Sequence, residues 1–84
     1  MTHQDLLAIA QEFGNPVYVY DASIMEAQYK RLAKAFKGVK KVQFHYAVKA
    51  LSNISVLKLL HSFGCGMDTV SIQEVQLALK AGVL

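Results

Sequence analysis

The chain has 84 residues, nine Lys and Arg against six Asp and Glu, and 54% apolar residues, which bounds it to one small domain at most. That composition excludes a disordered or low-complexity chain, and no apolar run approaches the roughly 20 residues that span a bilayer. Cys65 is the single cysteine and cannot close an internal disulfide, and Met1 to Leu7 carries no basic stretch ahead of a long apolar run. No signal peptide is therefore expected, and a cytoplasmic location fits best.

In chain order, residues 2–13 read as a short helix. Thr2 can cap it, Asp5 sits in its first turn, and Gly14 suits the left-handed position after its last turn. Asn15-Pro16 signals a turn, and Val17 to Tyr20 is a run of β-favouring residues expected to form a strand. Ser23 to Phe36 reads as a second helix. Ser23 and Glu26 have capping-box spacing, with Asp21 as a competing cap. Met25, Tyr29, Leu32 and Phe36 form its apolar stripe, and Gly38 is expected to end it.

Six of the nine basic residues crowd the stretch Lys30, Arg31, Lys34, Lys37, Lys40 and Lys41. A patch for nucleic acid would interleave arginine with aromatic residues, and none do so here. A solvated helix face and the turn after it are expected instead, with no nucleic-acid partner and no membrane partner.

Lys41 to Lys49 is the most informative strand. Val42, Phe44, Tyr46 and Val48 alternate with Gln43, His45, Ala47 and Lys49, so period two puts an apolar set on one face and a polar or small set on the other. Ser52 or Asn53 can cap a third helix running to Phe63, with Val56, Leu59, Leu60 and Phe63 as its buried stripe and Gly64 as its stop. Cys65 to Val70 is a strand candidate. Ser71 and Glu74 form a second capping box, opening a helix that runs to Ala81 and ends at Gly82. Val83-Leu84 reads as the first step of a further strand. From Lys41 onward the order strand, helix, strand, helix implies parallel strands with helical crossovers, an α/β fold. Two such units cannot close a barrel, which needs about 250 residues in all, so the chain reads as truncated.

Lys49 lies where a parallel strand ends and a capped helix follows, the edge from which catalytic side chains project in α/β folds. A free lysine has a pKa of about 10.4 and is mostly protonated; burial among small apolar groups lowers that value and favours condensation with an aldehyde. Taken alone, a strand-end lysine is a solvated surface charge. Asp68 taken alone is a strand-end cap or ion-pair partner, and Glu74 is most simply the capping partner of Ser71. His45 shares the Lys49 face, where packing and a satisfied hydrogen bond account for it. His3 and His61 are expected on exposed helix positions, no metal-ligand spacing links the histidines with Cys65, and Cys65 between two glycines reads as a small buried residue.

The surroundings of Lys49 carry a resemblance. Tyr46-Ala47-Val48-Lys49-Ala50 is followed by Leu51-Ser52-Asn53, Val56-Leu57, Gly64-Cys65-Gly66-Met67-Asp68 and Val70-Ser71, then Glu74, Ala78, Ala81 and Gly82. This series resembles the cofactor-lysine region of the barrel-type decarboxylases that use pyridoxal 5'-phosphate (PLP) and act on diaminopimelate, ornithine and arginine. The interval from Lys49 to Asp68 fits that family. Upstream, Phe13-Gly14-Asn15-Pro16-Val17-Tyr18-Val19-Tyr20-Asp21 resembles the opening typical of the diaminopimelate branch. Leu51 stands where many members have asparagine.

The resemblance implies the start of a PLP-binding (β/α)8 barrel. Residues 39–84 would be its first βα units. Residues 1–38 would lead into it and belong partly to a β-rich second domain. Lys49 would hold PLP covalently and be the catalytic lysine, Ala47 would leave room for the cofactor, and Asp68 would lie near it. The implied activity is decarboxylation of meso-2,6-diaminopimelate to L-lysine and CO2 by a homodimer that takes an amino-acid substrate. An ornithine- or arginine-type decarboxylase, a barrel-type alanine racemase and a non-catalytic PLP-binding relative are the alternatives. The residues that would hold the cofactor's phosphate and pyridine nitrogen are absent, so the 84 residues alone are expected to be inactive.

Overall fold

The computed structural model describes residues 1–83. Helix α1 spans His3–Phe13, α2 spans Ala22–Ala35, strand β1 spans His45–Ala47, α3 spans Ile54–Ser62, β2 spans Gly66–Asp68 and α4 spans Ile72–Lys80. A single 3-10 turn, Val48–Ala50, follows β1 directly. β1 and β2 pair in parallel with α3 as the crossover, so the expected α/β alternation is present as an open two-stranded sheet.

Local chemistry explains where each helix begins. The Thr2 hydroxyl accepts from the Asp5 N–H at 3.1 Å while the Asp5 carboxylate accepts from the Thr2 N–H at 2.9 Å, a closed capping box. At α2 the competing cap prevails. Asp21 accepts from both the N–H and the hydroxyl of Ser23, so Ser23 is spent as a donor and the cap lies two residues earlier than the Ser23–Glu26 box predicts. Asn53, not Ser52, caps α3 by accepting from the N–H groups of Ser55 and Val56. At α4 the Ser71 hydroxyl accepts from the Glu74 N–H, but the Glu74 carboxylate accepts from Val70 rather than from Ser71 itself, reaching one residue further back. Gly64, at φ 95°, turns the chain out of α3 in the left-handed region where a side chain is strained.

The strands are shorter than alternation alone predicts. Residues 17–20 form no strand, because no neighbouring strand accepts their backbone groups, and Tyr18 is left exposed. The predicted strand 41–49 contracts to His45–Ala47, because its only partner, β2, offers three residues and the backbone tightens into the 3-10 turn at Val48. Residue 83 forms no strand, and Leu84 lies outside the described residues.

The face assignment of the predicted strand holds from Phe44 to Val48, while Val42, assigned to the apolar face, is exposed. Phe44 and Tyr46 are half-buried and Val48 is fully buried, while Gln43, His45 and Lys49 are exposed. Val48 packs with Leu57 and Ala81 in a small core that Tyr46, Ile54, Met67 and Leu77 partly cover. Burying a Val or Leu side chain is worth about 1.5–3 kcal/mol. Leu57, absent from the predicted stripe of α3, is fully enclosed, because the helix turns this residue toward the core together with Val56. On the same side Tyr29 of α2 meets Phe44 and Phe63 at ring-centroid distances of 5.7 and 5.3 Å, which docks α2 over the β1–α3 unit.

Candidate cofactor-binding site

The register of the sheet assembles the site. His45 pairs with Gly66, Tyr46 with Met67, and Ala47 with Asp68. Paired residues share a face, so His45, Ala47, Gly66 and Asp68 lie together on the side opposite the Val48–Leu57 core. Lys49 follows Ala47 by two residues, in the turn at the carboxyl end of β1. The two residue types named from sequence as cofactor neighbours, Ala47 and Asp68, are therefore side by side in adjacent strands with the lysine just beyond them.

The surroundings are small and open. Ala47 carries only a methyl group, and Gly66 none. A Cβ on Gly66 would stand 2.6 Å from Nδ1 and 2.8 Å from Cε1 of His45, so the imidazole occupies the space beside Gly66 that a side chain would need. His45 thus packs on the Lys49 face as expected, but its ring makes no hydrogen bond among the described residues. Lys49 and Asp68 are exposed. The two ion pairs among the described residues, Lys30 with Glu26 and the terminal amine with Asp21, involve neither of them. An exposed primary amine with no ion-pair partner among the described residues, just beyond a methyl-sized neighbour at the strand end, can condense with a carbonyl-bearing cofactor.

The turn that carries Lys49 is closed by two bonds. The Leu51 N–H donates to the Val48 carbonyl at 3.1 Å. The Tyr46 hydroxyl donates to the Leu51 carbonyl at 2.8 Å. Burial pushes the Tyr46 hydroxyl above its ordinary pKa, so it stays a donor. The sequence places Tyr46 on the apolar face of the strand and within the motif, with no hydrogen-bonding role. The available signal was its polar tip on an otherwise apolar strand face, which demands a partner.

The other candidates sit elsewhere. Grooves of about 510 and 530 Å³ lie on the core side, lined by Tyr20, Met25, Leu51 and Val56 among others, and none of Ala47, Lys49 or Asp68 borders them. Cys65 is buried as expected, and desolvation pushes its thiol up, opposed by a bond from the backbone of Tyr46. Glu74 acts as a cap at the start of α4. No helix among the described residues is long and apolar enough to cross a membrane.

Residues 22–84 match the family described as pyridoxal-dependent decarboxylase, pyridoxal binding domain. The chain is similar to the diaminopimelate decarboxylase of Campylobacter jejuni, with 45% identity over 93% of this chain and 19% of that protein. It is similar to the Escherichia coli K12 enzyme of the same name, with 43% identity over 98% of this chain and 18% of that protein. Among solved structures it resembles the diaminopimelate decarboxylase of M. jannaschii in co-complex with L-lysine, with a TM-score of 0.79 and 32% identity over 93% of this chain and 19% of that one. The chain spans about a fifth of the length of these relatives. Its strand–helix alternation is the opening of their PLP-binding (β/α)8 barrel, and the chain belongs to the pyridoxal-dependent decarboxylases, in the pyridoxal-binding domain whose cofactor is pyridoxal phosphate.

Proposed function

We propose that this chain is the N-terminal part of a diaminopimelate decarboxylase, which converts meso-2,6-diaminopimelate to L-lysine and CO2. Residues 1–38 lead into the barrel and join partly to a β-rich second domain, and residues 39–84 are its first two βα units. The observation that carries the reading is the Ala47–Asp68 register beside Lys49, within a chain that aligns along nearly its whole length with enzymes of that name. The choice of substrate is supported by the diaminopimelate name shared by these relatives and by the L-lysine bound to the M. jannaschii protein. The enzyme works as a cytoplasmic homodimer on a small amino acid, with no nucleic-acid or membrane partner.

When bound, the cofactor supplies an electron sink for the charge left on the substrate carbon as CO2 departs. The chain's own residues bind and orient. Lys49, exposed and without an ion-pair partner among the described residues in the turn after β1, would hold the cofactor through its aldehyde, by a condensation that releases water. Ala47 leaves room on the shared face for a flat ring. Asp68 sets a negative charge and two acceptor oxygens at the lip of the site.

Borohydride reduction of the full-length, PLP-loaded protein followed by peptide mapping should place the pyridoxyl adduct on Lys49. An adduct on Lys58 or Lys80 would sink the assignment. CO2 release should be faster from meso-diaminopimelate than from L-ornithine or L-arginine, and a clear ornithine preference would move the protein to the sister branch.

A further inference from the structure

Lys49 is not on a strand. It sits in one 3-10 turn, an arrangement too short to hold itself, since one backbone bond fixes three residues. Two things on the core side brace it. Val48, in the same turn, is fully buried against Leu57 and Ala81. Tyr46, half-buried beside that cluster, spans the whole turn and donates its hydroxyl to the carbonyl of Leu51 at 2.8 Å. The six residues from Tyr46 to Leu51 thus form a loop closed through a side chain, with Lys49 inside it and exposed.

We infer that the Tyr46 hydroxyl is a positioning group for Lys49: by clasping the Leu51 carbonyl it holds the turn from which the lysine meets the cofactor. This rests on the reading that Lys49 carries PLP. Tyr46 touches neither cofactor nor substrate and acts only through the backbone of the turn. Its phenol, kept protonated by burial, remains a donor through neutral and mildly alkaline pH. The ring anchors the loop to the core, and the hydroxyl fixes its closure, so removing the hydroxyl alone separates the two functions.

The test uses the full-length holoenzyme with Tyr46→Phe, which keeps the ring and deletes one hydrogen bond. Ala78→Gly, a change in α4 far from the turn in sequence, loosens the same unit by removing a buried methyl group and lowering helix propensity, and serves as the stability control. Tyr46→Phe should release PLP roughly five- to tenfold faster, the factor expected from one lost hydrogen bond. It should also shift the pH midpoint of the lysine-bound cofactor's visible absorbance. Ala78→Gly should lower Tm by a similar amount and change neither. Borohydride mapping of the unsubstituted enzyme precedes both measurements. An adduct away from Lys49 would fail the cofactor assignment itself. An adduct on Lys49 with unaltered release in Tyr46→Phe, or with equal acceleration in both variants, would overturn the clasp and leave the cofactor assignment standing.

Discussion

At Gly66 the absence of a side chain is a packing requirement rather than a backbone one. Its φ is not in the left-handed region, and a strand normally gains from alanine over glycine. The obstacle is the His45 ring, 2.6 Å from where a Cβ would stand. Gly66→Ala in the full-length protein should therefore cost about 1–3 kcal/mol of stability, the usual range for overpacking. In a His45→Ala background the same change should be neutral or mildly stabilising, giving a coupling of roughly 1 kcal/mol or more in a denaturant double-mutant cycle. Additive costs would mean that the ring is not what excludes the methyl group. Cys65 illustrates the opposite situation, a residue defined by enclosure. Its thiol is raised by burial, so as pH climbs past the ordinary thiol value the unfolded chain loses its proton first and stability falls. Iodoacetamide should accordingly label Cys65 much more slowly in the folded full-length protein than in denaturant at the same pH, and equal rates would contradict the burial.

The helices differ in what caps them, and that difference is testable by pH. Asp21 is held below the ordinary carboxylate value of 3.8, first by the Ser23 hydroxyl and then by the Ser23 N–H. Asp5 is held below it by the backbone N–H and then the hydroxyl of Thr2. A lowered folded-state value means that the stabilisation is complete above the ordinary value and is lost as pH falls through the folded one. The Asn53 amide capping α3 does not titrate. Amide exchange at Thr2 and Ser23, whose N–H groups donate to the Asp5 and Asp21 carboxylates, should therefore speed up, relative to Ser55, as pH drops from about 5 to about 2.5, after correction for intrinsic rates. Parallel loss of protection at all three N-termini would point to global unfolding instead. Cap residues and stops were legible in the sequence because each acts over three or four positions. The choice between Asp21 and the Ser23–Glu26 pair was not, because both are good local solutions and only the geometry of the 14–21 entry segment selects one.

For the molecule as a whole, shape is the telling quantity. The radius of gyration is 15.1 Å, against about 12 Å for a compact chain of this length. Few side chains are enclosed, and large apolar residues such as Phe13, Tyr18, Ile24 and Val70 stay exposed. Backbone ordering costs on the order of 1–2 kcal/mol per residue, which so small a core does not offset. An open two-stranded sheet also leaves both strand edges unpaired. The isolated 84-residue chain should show a broad, non-cooperative thermal transition, a tendency to aggregate and no PLP-dependent decarboxylation. A sharp two-state transition in a soluble monomer would overturn this expectation.

The α/β alternation, the alternation of faces along β1 and the short stretches in which each helix is capped could be read without coordinates, because periodicity and capping are short-range and act within one element. The identity of Lys49, Ala47 and Asp68 as candidates came from motif resemblance, while their side-by-side placement came from the parallel register of β1 and β2, a pairing between residues about twenty apart that no local pattern encodes. The lengths of both strands, the burial of Leu57, the contact of His45 with Gly66 and the clasp of Tyr46 on Leu51 were decided only when those elements met. A strand extends just as far as a neighbour accepts its hydrogen bonds, and a polar tip in an apolar face finds its partner only where another segment presents one.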